Sequence, residues 1–100
     1  MKVIVYKKDV DHFLESFKSI SSFDKAGSKY YFVFEDHVRG GQWTIMFYEH
    51  EQKWTTHGKG ANYCDATETS LSREELMNFI YKRRKYINNV IRSMKTPVTS

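Results

Sequence analysis

Residues 71–95 read LSREELMNFIYKRRKYINNVIRSMK, and this stretch decides the fold because it predicts one long amphipathic helix. Ser72 and Glu75 have the spacing of a capping box, in which each side chain accepts a hydrogen bond from the backbone N–H of the other residue. Leu71 and Leu76 stand at the two positions of a hydrophobic staple, which fixes how the chain enters the helix. Two independent start signals therefore agree.

The same stretch has one apolar side, because its apolar residues recur at steps of three, four and seven and so share a face of the helix. These residues are Leu76, Phe79, Ile80, Ile87, Val90, Ile91 and Met94. Pro97 cannot continue the helix and disfavours helical geometry in the residue before it. About 22 residues at roughly 1.5 Å each make a helix about 33 Å long, the width of a small domain. The remaining elements are expected to pack against it.

Length and composition indicate one folded domain, over residues 1–96, with a short tail at 97–100. The chain has 100 residues, of which 16% are aromatic, and this ring content excludes a disordered class. Cys64 is the only cysteine, so no intrachain disulfide is possible and a reduced, cytoplasmic setting is expected. The apolar run at residues 3–6 is too short for a secretory signal peptide, and no stretch is long enough to span a bilayer, so no membrane contact is expected.

Four strands are predicted upstream of the long helix, from short apolar or alternating runs bounded by turn residues. They cover residues 2–7, 29–37, 43–50 and 53–57. A first helix, capped by Asp9 or Asp11 and ending near Ser22, separates the first two strands. Residues 58–70 show no periodicity and are predicted to form a loop. The order β-α-β-β-β-α indicates an α+β two-layer sandwich, with a mostly antiparallel sheet and two helices on one face.

The strand predicted at residues 29–37 has rings on both faces, although helices cover only one face of a two-layer fold. Either a further layer covers the second face or an apolar patch is exposed there, and exposed Tyr, Trp and Met are typical of protein interfaces. The candidate partner-binding residues are Tyr31, Trp43, Met46, Tyr48 and Trp54. The leading prediction is a small non-catalytic module, of the adaptor or inhibitor type that phages and other mobile elements carry, which docks a protein partner or a second copy of itself.

Positive charge is concentrated in the predicted C-terminal helix. Residues 73–95 contain seven Lys or Arg against two acidic residues, whereas the rest of the chain contains nine against ten. The acidic residues open the helix and the basic residues close it, an order that the helix macrodipole favours by itself. A cationic face beside a ring such as Tyr81 is also typical of surfaces that follow a phosphate backbone. The alternative prediction is therefore nucleic-acid binding through Lys82, Arg83, Arg84, Lys85, Arg92 and Lys95.

Arg83 falls inside the apolar stripe of this helix, and two interpretations account for it. In the first, its methylene groups lie on the core while the guanidinium pairs with a carboxylate such as Glu35 or Asp36. In the second, the stripe is interrupted because a partner or a phosphate group binds there.

A Cys64-dependent enzyme is a third alternative, because a thiolate beside an imidazole can act as a nucleophile. His50, His57 and Cys64 are spaced seven residues apart, without the close ligand pairs that zinc sites show, so no metal and no cofactor is predicted. The Gly-Lys-Gly sequence at residues 58–60 lacks the rest of a phosphate-binding loop. The residues therefore favour a protein without catalytic activity.

Overall fold

The structure is a computed structural model that describes residues 3–36, 41–58 and 68–94. Its elements follow one another as α1 (Asp9–Glu15), α2 (Phe17–Ile20), β1 (Ser22–Asp24), β2 (Lys29–Asp36), β3 (Gly41–Tyr48), β4 (Lys53–Gly58), β5 (Glu68–Leu71), α3 (Arg73–Lys82) and α4 (Arg84–Met94). The five strands form one antiparallel sheet in sequence order. The predicted α+β class with an antiparallel sheet is confirmed.

The register of the sheet assigns each side chain to one of two faces, because successive side chains in a strand alternate. Phe32 lies opposite Ile45, which lies opposite Thr56. The helices pack on this face, where Phe13 of α1 contacts Phe32 at 5.4 Å between ring centroids and Phe79 of α3 contacts Trp43 at 5.4 Å. We call the other side the open face.

A single hydrophobic core fills the space between the helices and the sheet. Its members are buried aromatic and branched aliphatic residues from the N-terminal segment, the helices and the strands. They include Ile4, Val10, Phe13, Phe17, Phe32, Phe34, Ile45, Leu76, Ile80, Ile87 and Ile91. Burying one such side chain stabilises the fold by about 1.5–3 kcal/mol, so this layer holds the helices on the sheet.

The predicted start of the long helix is confirmed in detail. The backbone N–H of Ser72 donates to Glu75 Oε1 at 2.9 Å, and the N–H of Glu75 donates to Ser72 Oγ at 3.2 Å. Each bond satisfies a backbone N–H that a helix start otherwise leaves without a partner.

The long helix is divided in two at Arg83, which differs from the predicted single helix. Arg83 has φ −107° and ψ 17°, and its N–H is shared between the carbonyls of Phe79 and Ile80 at 3.3 and 3.1 Å. The guanidinium of Arg84 donates to the carbonyl of Tyr81 at 2.8 Å and so satisfies one of the acceptors at the end of α3. Ile87 is buried like Ile80, so the apolar face continues across the break.

The N-terminal segment is not the strand predicted at residues 2–7. Residues 3–5 have no regular secondary structure, although Ile4 is in the core. The N–H of Ile4 donates to Asn88 Oδ1 and its carbonyl accepts from Asn88 Nδ2, both at 2.8 Å. A side-chain amide thus takes the place of a neighbouring strand. Asp9 Oδ2 accepts from the N–H of Val5 and of Tyr6 at 3.0 and 2.9 Å and does not cap α1.

Two further differences concern short strands. β1 and β5 were not expected from the sequence, and β5 occupies the end of the loop predicted at 58–70. The rest of that loop and the tail at 97–100 lie outside the described residues. Within residues 3–36, 41–58 and 68–94, no helix has the length and apolar character needed to cross a membrane.

Candidate binding surfaces

The open face contains a shallow depression of about 550 Å³. Its lining side chains from β2, β3, β4 and β5 include Tyr31, Val33, Thr44, Met46, His57 and Glu68. Asp24 at the end of β1, Lys25 in the following turn and Lys29 at the start of β2 add charged groups. Met46 is buried and lines the depression together with the exposed Val33, so part of its floor is apolar, while polar side chains and charges of both signs make up the rest of the lining.

The structure brings together three of the five predicted partner-binding residues. Tyr31, Met46 and Tyr48 lie on the open face, as the register of β2 and β3 shows. Trp43 and Trp54 lie on the helix-covered face, where the ring of Trp54 is 4.9 Å from that of Phe17. The five residues therefore do not form one surface.

The alternation in the printed sequence already contains the signal that separates them. Trp43 shares its parity with Ile45 and Phe47, whereas Met46 and Tyr48 have the opposite parity, and parity decides the face in a strand. Trp54 pairs with Phe47 across β3 and β4. The placement of Trp54 required the register, which local sequence does not specify.

Tyr48, Thr55 and Glu68 form a hydrogen-bonded cluster across β3, β4 and β5 on the open face. Tyr48 Oη and Thr55 Oγ1 both donate to Glu68 Oε2, the latter at 2.7 Å. The Nζ atoms of Lys29 and Lys53 each lie 5.6 Å from the centre of the Tyr48 ring. The cluster ties the short edge strand β5 to the middle of the sheet.

The ionisation of this cluster follows from its contacts. Burial, and then the hydrogen bond to Glu68, raises the pKa of Tyr48 to about 12. Burial acts to raise the pKa of Glu68, but the hydrogen bonds from Tyr48 and Thr55 outweigh it, so the pKa of Glu68 lies below its ordinary value. Both pKa values are moved away from neutrality, which favours a binding role over acid–base catalysis for these groups.

Arg83 is directed into the molecule, as the first of the two sequence interpretations states. Its side chain is 12% exposed and its Nε lies 3.6 Å from Oδ2 of Asp36, whose side chain is 0% exposed. The guanidinium carbon is 4.1 Å from the centre of the Phe79 ring and 4.8 Å from that of Trp43. The expected carboxylate mate is therefore Asp36, and Arg83 does not belong to the outer basic surface.

A second depression, of about 540 Å³, lies between the N-terminal segment and α4, and we call it the basic groove. Four of the six residues predicted for nucleic-acid binding line it: Lys82, Arg84, Lys85 and Arg92. Residues 3–5, Tyr86 and Asn88 complete the lining. Lys95 lies outside the described residues.

Asn88 is the residue of this groove that sequence reasoning missed. As a polar residue beside basic ones it is expected on the solvent side of the helix, but it is buried and binds both backbone groups of Ile4. The sequence contains a signal for this burial: Asn88 follows Ile87 and lies one turn before Ile91, at the border of the apolar stripe. A polar residue at such a border can serve a buried backbone.

The catalytic alternative depends on Cys64 and stays an untested prediction. Cys64 lies outside the described residues. Across residues 3–36, 41–58 and 68–94, no group of three or more His, Cys, Asp or Glu side chains is placed to hold a metal ion. Comparison of the chain with protein-family models, with curated proteins and with solved structures gave no match.

Proposed function

We propose that this chain is a small, non-catalytic binding module that docks a protein partner on its open face. The observation that supports the proposal is the depression of about 550 Å³, with Tyr31, Val33 and Met46 among its lining residues. An apolar centre with a polar, solvated rim is the usual anatomy of a protein interface, and Tyr and Met are enriched there.

The rim defines the chemistry of the partner. Lys25 and Lys29 stand on it together with Asp24 and Glu68, so a partner of one strong charge would meet repulsion as well as attraction. The surface suits a protein segment that inserts an apolar side chain into the depression and surrounds it with groups of both signs. In this proposal the chain acts in the cytoplasm as an adaptor or inhibitor.

Site-specific photocrosslinking tests this surface. A photoreactive phenylalanine analogue at Val33, which is 36% exposed on the open face, is compared with the same analogue at Tyr6, which is 63% exposed in the N-terminal segment. We expect a protein adduct in cell extract from position 33 and none from position 6. Equal adducts at both positions, no adduct at position 33, or an adduct with the mass of two copies of the chain would each overturn the proposal.

The partner identified in this way is then purified and its affinity measured by calorimetry. Val33→Lys places a charge over the apolar floor, and we expect it to weaken binding by about 30-fold or more, as for a residue near the centre of an interface. Tyr6→Lys, the matched control, is expected to leave affinity within about twofold. Equal losses in the two variants would show that the adduct marks an incidental encounter.

A further inference from the structure

We propose that the basic groove binds single-stranded nucleic acid. This inference is independent of the open face, because the two depressions share no lining residue.

The basic groove carries positive charge that no acidic side chain of its lining neutralises. Lys82, Lys85 and Arg92 are exposed, Arg84 is partly exposed, and the lining of the groove includes no Asp or Glu. The ion pairs found in the described part of the chain use other cations, namely Arg73 with Asp11, Lys18 with Glu49 and Arg83 with Asp36. Four positive charges thus face one concave surface, a distribution that attracts and concentrates polyanions.

The basic residues of α4 are spaced along the groove. Arg84 and Arg92 both line it and are eight residues apart on α4, a separation of about 12 Å along the helix. Each strand of a duplex has a phosphate for about every 3.4 Å of the axis, and a single strand that keeps this stacked rise places three to four phosphates along the same length. Arg84, Lys85 and Arg92 fall within that length and Lys82 lies just before it, so the four cations can neutralise one strand.

The groove has an apolar wall, which distinguishes a single strand from a duplex. Val5 is 51% exposed and forms this wall with Val3 and the backbone of Ile4, and Tyr86 adds a ring. The two hydrogen bonds of Asn88 to Ile4 hold this wall against α4. A single strand can turn its bases toward such a wall and stack on the ring while its phosphates meet the cations. A duplex has its bases stacked inside and would leave the wall unused.

Fluorescence anisotropy with a labelled oligouridylate of about 12 nucleotides, three times the span of the groove, tests the proposal. Four phosphate contacts predict a salt slope of about −2.8, so affinity should fall about 50-fold between about 50 and about 200 mM salt. The double variant Lys85→Gln, Arg92→Gln keeps two phosphate contacts, so its affinity should fall only about sevenfold over the same salt range. The control variant Lys25→Gln, Lys53→Gln removes the same charge elsewhere and should keep the wild-type slope.

Three further probes decide the class of ligand. Binding of oligouridylate, of oligodeoxythymidylate or of both supports the proposal. The ratio of the two affinities shows whether the groove distinguishes ribose from deoxyribose. Tighter binding of a duplex of equal length, equal binding of polyglutamate, or no oligonucleotide binding at about 50 mM salt would each overturn it.

Tyr86→Leu separates stacking from simple charge attraction. It should weaken oligouridylate binding at least about fivefold and leave the binding of inorganic polyphosphate unchanged, because only a base stacks on the ring. Parallel losses for both probes would show that Tyr86 acts only through the fold, and the single-strand assignment would then fail.

Discussion

At the scale of single residues, Arg83 and Asp36 form an ion pair between distant parts of the chain. Arg83 lies between α3 and α4, Asp36 is the last residue of β2, and both side chains are largely withdrawn from water. Two rings lie against the guanidinium, which compensates part of its lost hydration. The arginine in the apolar stripe therefore links the break between α3 and α4 to the sheet.

Asp36→Ala is expected to lower the free energy of unfolding by about 3 kcal/mol, because it leaves the Arg83 charge buried without this carboxylate. Urea denaturation followed by circular dichroism measures the change. Asp11→Ala is the matched control: its pair with Arg73 is exposed on both sides, and its loss should cost less than about 1 kcal/mol. Similar losses in the two variants would mean that the inner pair does not stabilise the fold.

At the scale of elements, the N-terminal segment is attached to α4 by a side chain and not by a strand ladder. Asn88 and Ile4 are 84 residues apart in sequence, so their contact joins the two ends of the described chain. The apolar side chain of Ile4 enters the core while its backbone groups are satisfied by one amide. Ile4 can thus be buried although its backbone belongs to no strand.

Asn88→Ala is expected to lower the free energy of unfolding by about 2–3 kcal/mol, because two buried backbone groups lose their partner. Asn89→Ala, at the exposed neighbouring position, should stay within about 0.5 kcal/mol of the wild type. Chemical denaturation gives both values. Equal free energies of unfolding for the two variants would contradict the prediction, because they would mean that water replaces the Asn88 amide at no cost in stability.

At the scale of the whole molecule, the sheet separates two candidate surfaces. The open face lies on one side, and α4 with the basic groove belongs to the helix layer on the other. β5 completes the open face at one edge, where Glu68 receives the hydroxyl groups of Tyr48 and Thr55. The stability of the sheet is therefore expected to respond to the ionisation of this cluster.

The direction of that response follows from the two pKa shifts. The pKa of Tyr48 is raised from 10.0 to about 12 in the folded chain, so its contribution is complete below pH 10 and is lost as pH rises toward 12. The pKa of Glu68 is lowered from 4.5, so its contribution is complete above that value and is lost as pH falls through the folded pKa. The free energy of unfolding should therefore decline at acidic and at strongly alkaline pH.

Thermal unfolding as a function of pH measures this behaviour. Tyr48→Phe should flatten the decline between pH 10 and about 12, since the titrating hydroxyl is removed. Tyr6→Phe, which removes an exposed phenol elsewhere, controls for the substitution itself. An unchanged alkaline limb in Tyr48→Phe would assign the decline to other groups.

How much of this could be predicted from the sequence depends on how far apart the interacting residues lie. The capping box of Ser72 and Glu75 spans three residues and was predicted with its partners. The apolar run at residues 3–6 indicated burial correctly for Ile4, but Val5 and Tyr6 are exposed, and the run did not reveal that Asn88 would supply the hydrogen bonds. In the same way, the parity of β3 separated Trp43 from Met46, whereas the face of Trp54 depended on its pairing with Phe47.

The sequence by itself determined the α+β class, the antiparallel strands β2, β3 and β4, the start of α3 and the apolar face that continues into α4, because these follow from side-chain periodicity and contacts within a few residues. Only the tertiary structure decided that Arg83 turns inward to Asp36 while Arg84, Lys85 and Arg92 line a groove with the N-terminal segment. The physical reason is that these outcomes depend on which distant elements pack together, and the free energy of packing is shared among residues far apart in the chain.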